Sequence, residues 1–144
     1  MRRGTLIAVM VGCLARIASV HSAELVVRVR NIEPKLGELA YALFDSDSGF
    51  PTQKERAFRR GFVRIESGPE MTFTISELAP GEYALAVYQD MNGDRKLGKN
   101  FLGIPREPAG VSNNPTTILG PPGYRTSKFV LSGDRQELIV NLVN

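Results

Sequence analysis

Oxygen-bearing side chains recur at alternate positions in Asp90-Met91-Asn92-Gly93-Asp94-Arg95-Lys96. Side-chain oxygens at positions one, three and five, with the main-chain carbonyl of Lys96 at seven, are the spacing by which a calcium loop wraps a hard cation. Such a cage needs about six to eight oxygens on a tightly curved backbone, and Asn92-Gly93 supplies curvature. The pattern then breaks. Arg95 stands where a turning Gly belongs, Gly98 is at position nine, and Phe101 replaces the bidentate Glu of position twelve. Asp45 and Asp47 could complete the cage, but strand parity sets them at the opposite end of the body. Two readings therefore stand. One is an Asx-rich turn bonding its own backbone; the other is a calcium site on Asp90, Asn92, Asp94 and Lys96.

Other chemistry is sparse. The single Cys (Cys13) and the single His (His21) both lie in the first 23 residues. That stretch reads as a secretory leader, with Arg2 and Arg3 ahead of an apolar run over 6–15 that is too short to span a bilayer. Small or polar residues follow, and cleavage is expected within 19–23. An uncleaved anchor and a lipoprotein attached through Cys13 are the alternatives. A cleaved chain would carry no imidazole and no thiol. It would then hold no Ser-His-Asp triad, no Cys-His pair, no His or Cys zinc site and no disulfide. Arg2, Arg3 and Arg16 also account for the whole formal charge of +3, since no acid precedes Glu24. A body with equal numbers of basic and acidic residues argues against nucleic acid as a partner. The expected location is periplasmic or extracellular, with no membrane span after cleavage.

Strands must position whatever chemistry exists. Period-two apolar runs bounded by turn residues are predicted at 24–30, 38–45, 62–67, 71–76, 83–90, 127–132 and 137–143. The third and fourth are expected to form a hairpin around Ser67-Gly68-Pro69-Glu70. Ser132-Gly133-Asp134-Arg135 joins the last two. The predicted class is all-β: a seven-stranded antiparallel β-sandwich of immunoglobulin-like or transthyretin-like type over 24–144. Leu78-Ala79-Pro80-Gly81-Glu82-Tyr83 reads as a tyrosine corner, with the Tyr83 hydroxyl tied to the preceding turn.

Two connections are long. Residues 46–60 contain Thr52-Gln53-Lys54-Glu55, which fits a capping box and predicts a short helix over 53–59. Lys54, Arg56, Arg59 and Arg60 make that segment basic, either as a solvated face or as an anion- or envelope-facing patch. Residues 91–123 hold six of the fourteen Gly and five of the nine Pro, with no strand pattern. Punctuating apolar residues such as Leu97, Phe101 and Val111 predict an ordered excursion over the sandwich rather than a disordered one. Asn113 and Asn114 could hydrogen-bond a ligand or form a turn. Tyr124 could stack on a ligand or pack in the core.

The blocks Ala42-Leu43-Phe44-Asp45, Gly49-Phe50-Pro51 and the run from Pro80 to Asp90 are similar to a bacterial secreted family, domain of unknown function 2141. So are Asn92-Gly93-Asp94, Asn100-Phe101-Leu102-Gly103-Ile104-Pro105, Gly110-Val111-Ser112-Asn113-Asn114 and Gly120-Pro121-Pro122. The resemblance implies an exported prealbumin-like or immunoglobulin-like sandwich and no particular activity. Family members often have Gly at the position of Arg95, an acid at that of Gly98 and His at that of Gln89. The first two differences weaken the calcium reading for this chain, and the third removes an imidazole.

The expectation is a non-catalytic exported module that binds an envelope or secreted ligand or protein through the 90–124 loop, with or without a structural calcium. A carboxylate-dependent hydrolase of envelope glycan, drawing on Asp90, Asp94 and Glu107, is the alternative from another class. A purely structural module is the third.

Overall fold

The computed structural model describes residues 21–34, 37–99, 105–117 and 120–144. Most of the expected leader, including Cys13, lies outside them. So do Asn100, Phe101, Leu102, Ile104, Ile118 and Leu119 of the long connection.

Eight strands form two sheets. β1 (Ala23–Arg30), β4 (Glu70–Leu78) and β8 (Arg135–Asn141) make one, in the order β4-β1-β8. β2 (Glu38–Phe44), β3 (Arg59–Arg64), β5 (Gly81–Asp90) and β6 (Ala109–Val111) make the other, in the order β3-β2-β5-β6, and β7 (Phe129–Leu131) also pairs with β5. The alternation Leu25-Val27-Val29 puts one face of β1 inside, fully buried with Leu39, Leu43, Leu85, Leu131 and Val140. The all-β, two-sheet expectation is met.

Several finer expectations are corrected. Among the described residues there are eight strands rather than seven. β6 spans three residues, too few for a period to show. Gly110 at its centre abuts β8, where a Cβ would sit 2.4 Å from the Asn141 carbonyl oxygen. The sheets are not wholly antiparallel, since β1 and β8 run parallel with Val27 opposite Leu138. Alternation reveals which face is buried but not the direction of a neighbour far away in the chain. β3 and β4 are not a hairpin: β3 pairs with β2 and β4 with β1. Residues 65–69 instead cross between sheets, with Ile65 buried at the crossing and the Ile32 N–H donating to the Pro69 carbonyl at 2.9 Å. The chain likewise changes sheet between β7 and β8.

The helix expected over 53–59 shrinks to a single 3-10 turn, Lys54–Arg56. Gln53 precedes it and makes no side-chain cap bond. Arg59 already belongs to β3, whose pairing with Leu43 outcompetes a second helical turn. A short helix, α1 (Tyr124–Ser127), ends the long connection and takes only the first residue, Ser127, of the strand expected over 127–132. Ala23, assigned to the leader by sequence, is the first residue of β1 and fully buried. The tyrosine corner is present, with the Tyr83 hydroxyl donating to the Ala79 carbonyl at 2.8 Å.

Candidate functional site

The 90–98 segment is an arm that leaves the end of β5 and folds back beside the sheet. Its curvature comes from Asx bonding. Asp90 Oδ1 accepts from the Gly93 N–H and Oδ2 from the Arg95 N–H, both at 2.8 Å. Asn92 Oδ1 accepts from the Asp94 N–H at 3.0 Å, and Asp94 Oδ1 from the Lys96 N–H at 2.8 Å. Gly93 and Arg95 take positive φ of 75° and 58°, so Arg95 holds a left-handed position that Gly would fill without strain. Among the described residues, no group of three or more His, Cys, Asp or Glu side chains is placed to hold a metal ion. Asp45 and Asp47 lie at the far end of β2, because Phe44 pairs with Ala84 and Glu38 with Asp90.

A second carboxylate anchors the arm. Glu107 is 5% exposed. Its Oε1 accepts from the Met91 N–H at 3.0 Å and its Oε2 from the Gly98 N–H at 3.2 Å. A buried carboxylate satisfied by backbone donors is a structural device, holding both ends of the arm at once. Further along, the Arg95 guanidinium sits 4.6 Å from the Phe62 ring centroid and 3.5 Å from Glu38 Oε2. The Lys54 ammonium donates to the Arg95 carbonyl. These contacts tie the arm to β3, β2 and the 3-10 turn.

Between the arm and residues 51–55 lies a cleft of about 560 Å³ on the outer face of the five-stranded sheet. Its floor follows from register, since directly paired residues point to the same face. Ala42 is opposite Ala86 and Arg60, and Ala40 is opposite Tyr88 and Phe62. Small alanines leave the floor low. Leu97 and Pro51 line its walls, and Lys54, Arg60, Arg95, Lys96 and Lys99 bring positive charge, against Glu55 as the one acid among the described lining residues. Arg60, Lys96 and Lys99 make no ion pair within the described structure. The Tyr88 hydroxyl is shielded from solvent and has no hydrogen-bond partner. Burial pushes its pKa up to about 12, with help from Asp90, Glu107 and Asp94, so it remains a proton donor at neutral pH.

The other expected binding residues are elsewhere. Asn113 Nδ2 donates to the Lys128 carbonyl at 2.7 Å and to that of Thr126 at 3.3 Å. Asn114 bonds the edge of β8 as a neighbouring strand would: Nδ2 donates to the Ile139 carbonyl at 2.9 Å, and Oδ1 accepts from the Asn141 N–H at 2.7 Å. Both residues sit at positive φ, so their amides support local architecture. Tyr124 packs edge-on against Phe50, with centroids 5.8 Å apart. It lines a smaller groove of about 340 Å³ with Asp45, Asp47, Glu82, Arg125 and Lys128. Its hydroxyl has no hydrogen-bond partner, and burial raises its pKa, with Glu82 next in effect.

Of the residues expected to bind a metal or ligand only Lys96 lines the larger cleft, joined there by Lys54 and Arg60 of the basic segment read either as a solvated face or as an anion-facing patch. The signal that could have found the rest was Ala40, Ala42 and Ala86, which occupy the alternate positions a one-sided sheet would give to polar residues.

The chain matches a family described as uncharacterized proteins conserved in bacteria, over residues 27–139. Neither the curated proteins nor the solved structures include a significant match. That single match spans both sheets and the arm, and the chain belongs to the bacterial family domain of unknown function 2141.

Proposed function

We propose that this chain is an exported, non-catalytic binding module, an immunoglobulin-like or transthyretin-like sandwich that takes a small ligand in the cleft beneath the 90–98 arm. One observation carries the reading: a cleft of about 560 Å³, within the size range of ligand sites, bordered by an arm that two buried carboxylates hold in place. A preformed wall lowers the ordering cost of binding.

The hydrolase reading needs two facing carboxylates with room for substrate between them. Asp90, Asp94 and Glu107 instead each accept backbone N–H bonds, which favours the binding reading. The same bonds shape the Asp90–Lys96 turn without a cation, so melting with calcium and with EDTA should give the same midpoint. A rise of several degrees in calcium would restore the metal.

A fragment screen read by backbone amide shifts tests the proposal. Hits should cluster at 40–42, 60–62, 86–88 and 95–99, and disappear in Ala86→Trp, which fills the floor. Hits confined to the Asp45–Lys128 groove, or unaffected by Ala86→Trp, would overturn it.

A further inference from the structure

We propose that the cleft selects a small organic anion, with an apolar body on the Ala40–Ala42–Ala86 floor and its anionic group among Arg60, Lys96 and Lys99. This rests on reading the cleft as a ligand site and adds the chemical class of the ligand.

Charge is the first argument. Five cations and one acid line the cleft, although beyond the first 23 residues the sequence holds equal numbers of both signs. The excess is local. Two of those cations are already engaged: Lys54 on the Arg95 carbonyl, and Arg95 on Glu38 and the Phe62 face. Arg60, Lys96 and Lys99 remain without a carboxylate. Some cations elsewhere are paired, for example Arg28 with Glu70 and Glu137, and Lys128 with Glu82, while others among the described residues, such as Arg64 and Arg125, are not. The distinguishing feature of the cleft is therefore the gathering of its cations around one concave surface. Like charges gathered around a concave, low-dielectric surface focus a positive potential that draws in anions.

Shape and hydrogen bonding give the second argument. The floor between Phe62 and Leu97 is apolar with few polar partners, Ala86 partly exposed and Ala40 and Ala42 almost covered at 4% and 7% exposure, which suits a hydrocarbon body better than a bare inorganic ion. The shielded Tyr88 hydroxyl is a donor without an acceptor. A buried unsatisfied donor is costly; shielded as it is, this one meets a carboxylate, sulfonate or phosphate oxygen only when the side chains over it shift.

The test titrates the full chain with three probes sharing one ring system: 2-naphthoate, neutral 2-naphthylmethanol and cationic 2-naphthylmethylammonium. Calorimetry gives affinity, and amide shifts give location. Expected is 2-naphthoate binding at least about tenfold tighter than the alcohol, with the ammonium weakest and shifts at Ala40, Ala42, Ala86 and Tyr88. Arg60→Gln and Lys99→Gln, each tested singly, should weaken naphthoate several-fold and leave the alcohol unchanged. Tyr88→Phe should lower naphthoate affinity a few-fold. Raising salt should erode the naphthoate preference.

Equal affinities at the same shifted residues would overturn the anion selectivity while leaving the cleft as a binding site. Absence of shifts at those residues with any probe would overturn both. Naphthoate binding that persists unchanged in Arg60→Gln and Lys99→Gln would overturn the assigned anion position.

Discussion

The outer faces of the two sheets both gather cations, mostly paired with acids on one and mostly without them on the other. On the three-stranded sheet, Arg28 reaches Glu70 at 3.0 Å and Glu137 at 2.9 Å, and Arg30 reaches Glu70 at 2.9 Å. Register makes this unavoidable, since Glu70 pairs directly with Arg30 and Glu137 with Val26, diagonally beside Arg28. On the five-stranded sheet, register lines up Ala40, Ala42, Ala86, Tyr88 and Phe62. Most of its cations arrive from outside the sheet, on the arm and the 3-10 turn, with no acid placed opposite Arg60, Lys96 or Lys99. One face is thus electrostatically closed, whereas the other retains charge that an external anion can neutralise. Exposed pairs like those on the first face stabilise little, so the contrast concerns what each surface can bind more than what holds the fold together.

The largest effect should come from erasing the contrast altogether. Leu85 is fully buried in the core shared by both sheets, and Leu85→Ala should cost about 2–5 kcal/mol in urea unfolding. A loss confined to the five-stranded sheet would mean that the sheets fold as separate units.

Next comes a change that touches one face only. Glu107→Ala removes the acceptor of two backbone donors and should cost about 1–3 kcal/mol. Hydrogen exchange should speed up at Met91 and Gly98, with no change at Val27 or Phe73. Unchanged exchange at Met91 and Gly98 would contradict the anchoring role of Glu107.

The two faces also titrate at opposite ends of the pH scale. Tyr88 is raised from 10 to about 12 in the fold. The unfolded chain therefore loses its proton first, and stability should fall as pH rises from about 10 to 12. Tyr88→Phe should flatten that slope. On the other face, the hydrogen bond from Arg28 holds the Glu70 carboxyl below its ordinary value, against a smaller opposing effect of burial. Its contribution is present above the ordinary carboxylate range and lost as pH falls through the depressed value. Glu70→Gln should remove that acid-limb component, as followed by melting midpoint against pH.

The smallest effect should come from Arg28→Ala, a slight lowering of the midpoint at low salt that disappears near about 1 M. Lys99→Gln, with no partner to lose, should leave the midpoint unchanged. A destabilisation by Lys99→Gln as large as that by Arg28→Ala would erase the distinction between the faces.

How much of this was legible beforehand depended on range. Period-two alternation identified β1, β2 and β5 nearly to the residue, because Leu25-Val27-Val29 and Leu39-Tyr41-Leu43 each mark a buried face. The tyrosine corner was readable because Tyr83 and Ala79 are close in sequence. Alternation does not encode pairing partners, so the parallel contact of β1 with β8 and the sheet change at 65–69 were not readable. The Asx turn at 90–96 was visible from its own residues. Glu107 was visible only as a nearby acid, because its bonds to Met91 and Gly98 require a return of the chain that no local pattern announces. Asn113 and Asn114 looked suited to ligands for the same chemical reason that they suit carbonyls and edge strands. The cleft itself depends on Ala40 and Ala42 meeting Ala86 across a strand pair, a coincidence that appears only once register is known.

The most direct measurement is a crystal structure of the chain soaked with 2-naphthoate. The ring should lie over Ala40, Ala42 and Ala86, with the carboxylate within hydrogen-bonding reach of Arg60 or Lys99 and the 90–98 arm in place. A ligand seated beside Asp45 and Tyr124 instead, or a cleft that excludes it at saturating concentration, would contradict that account.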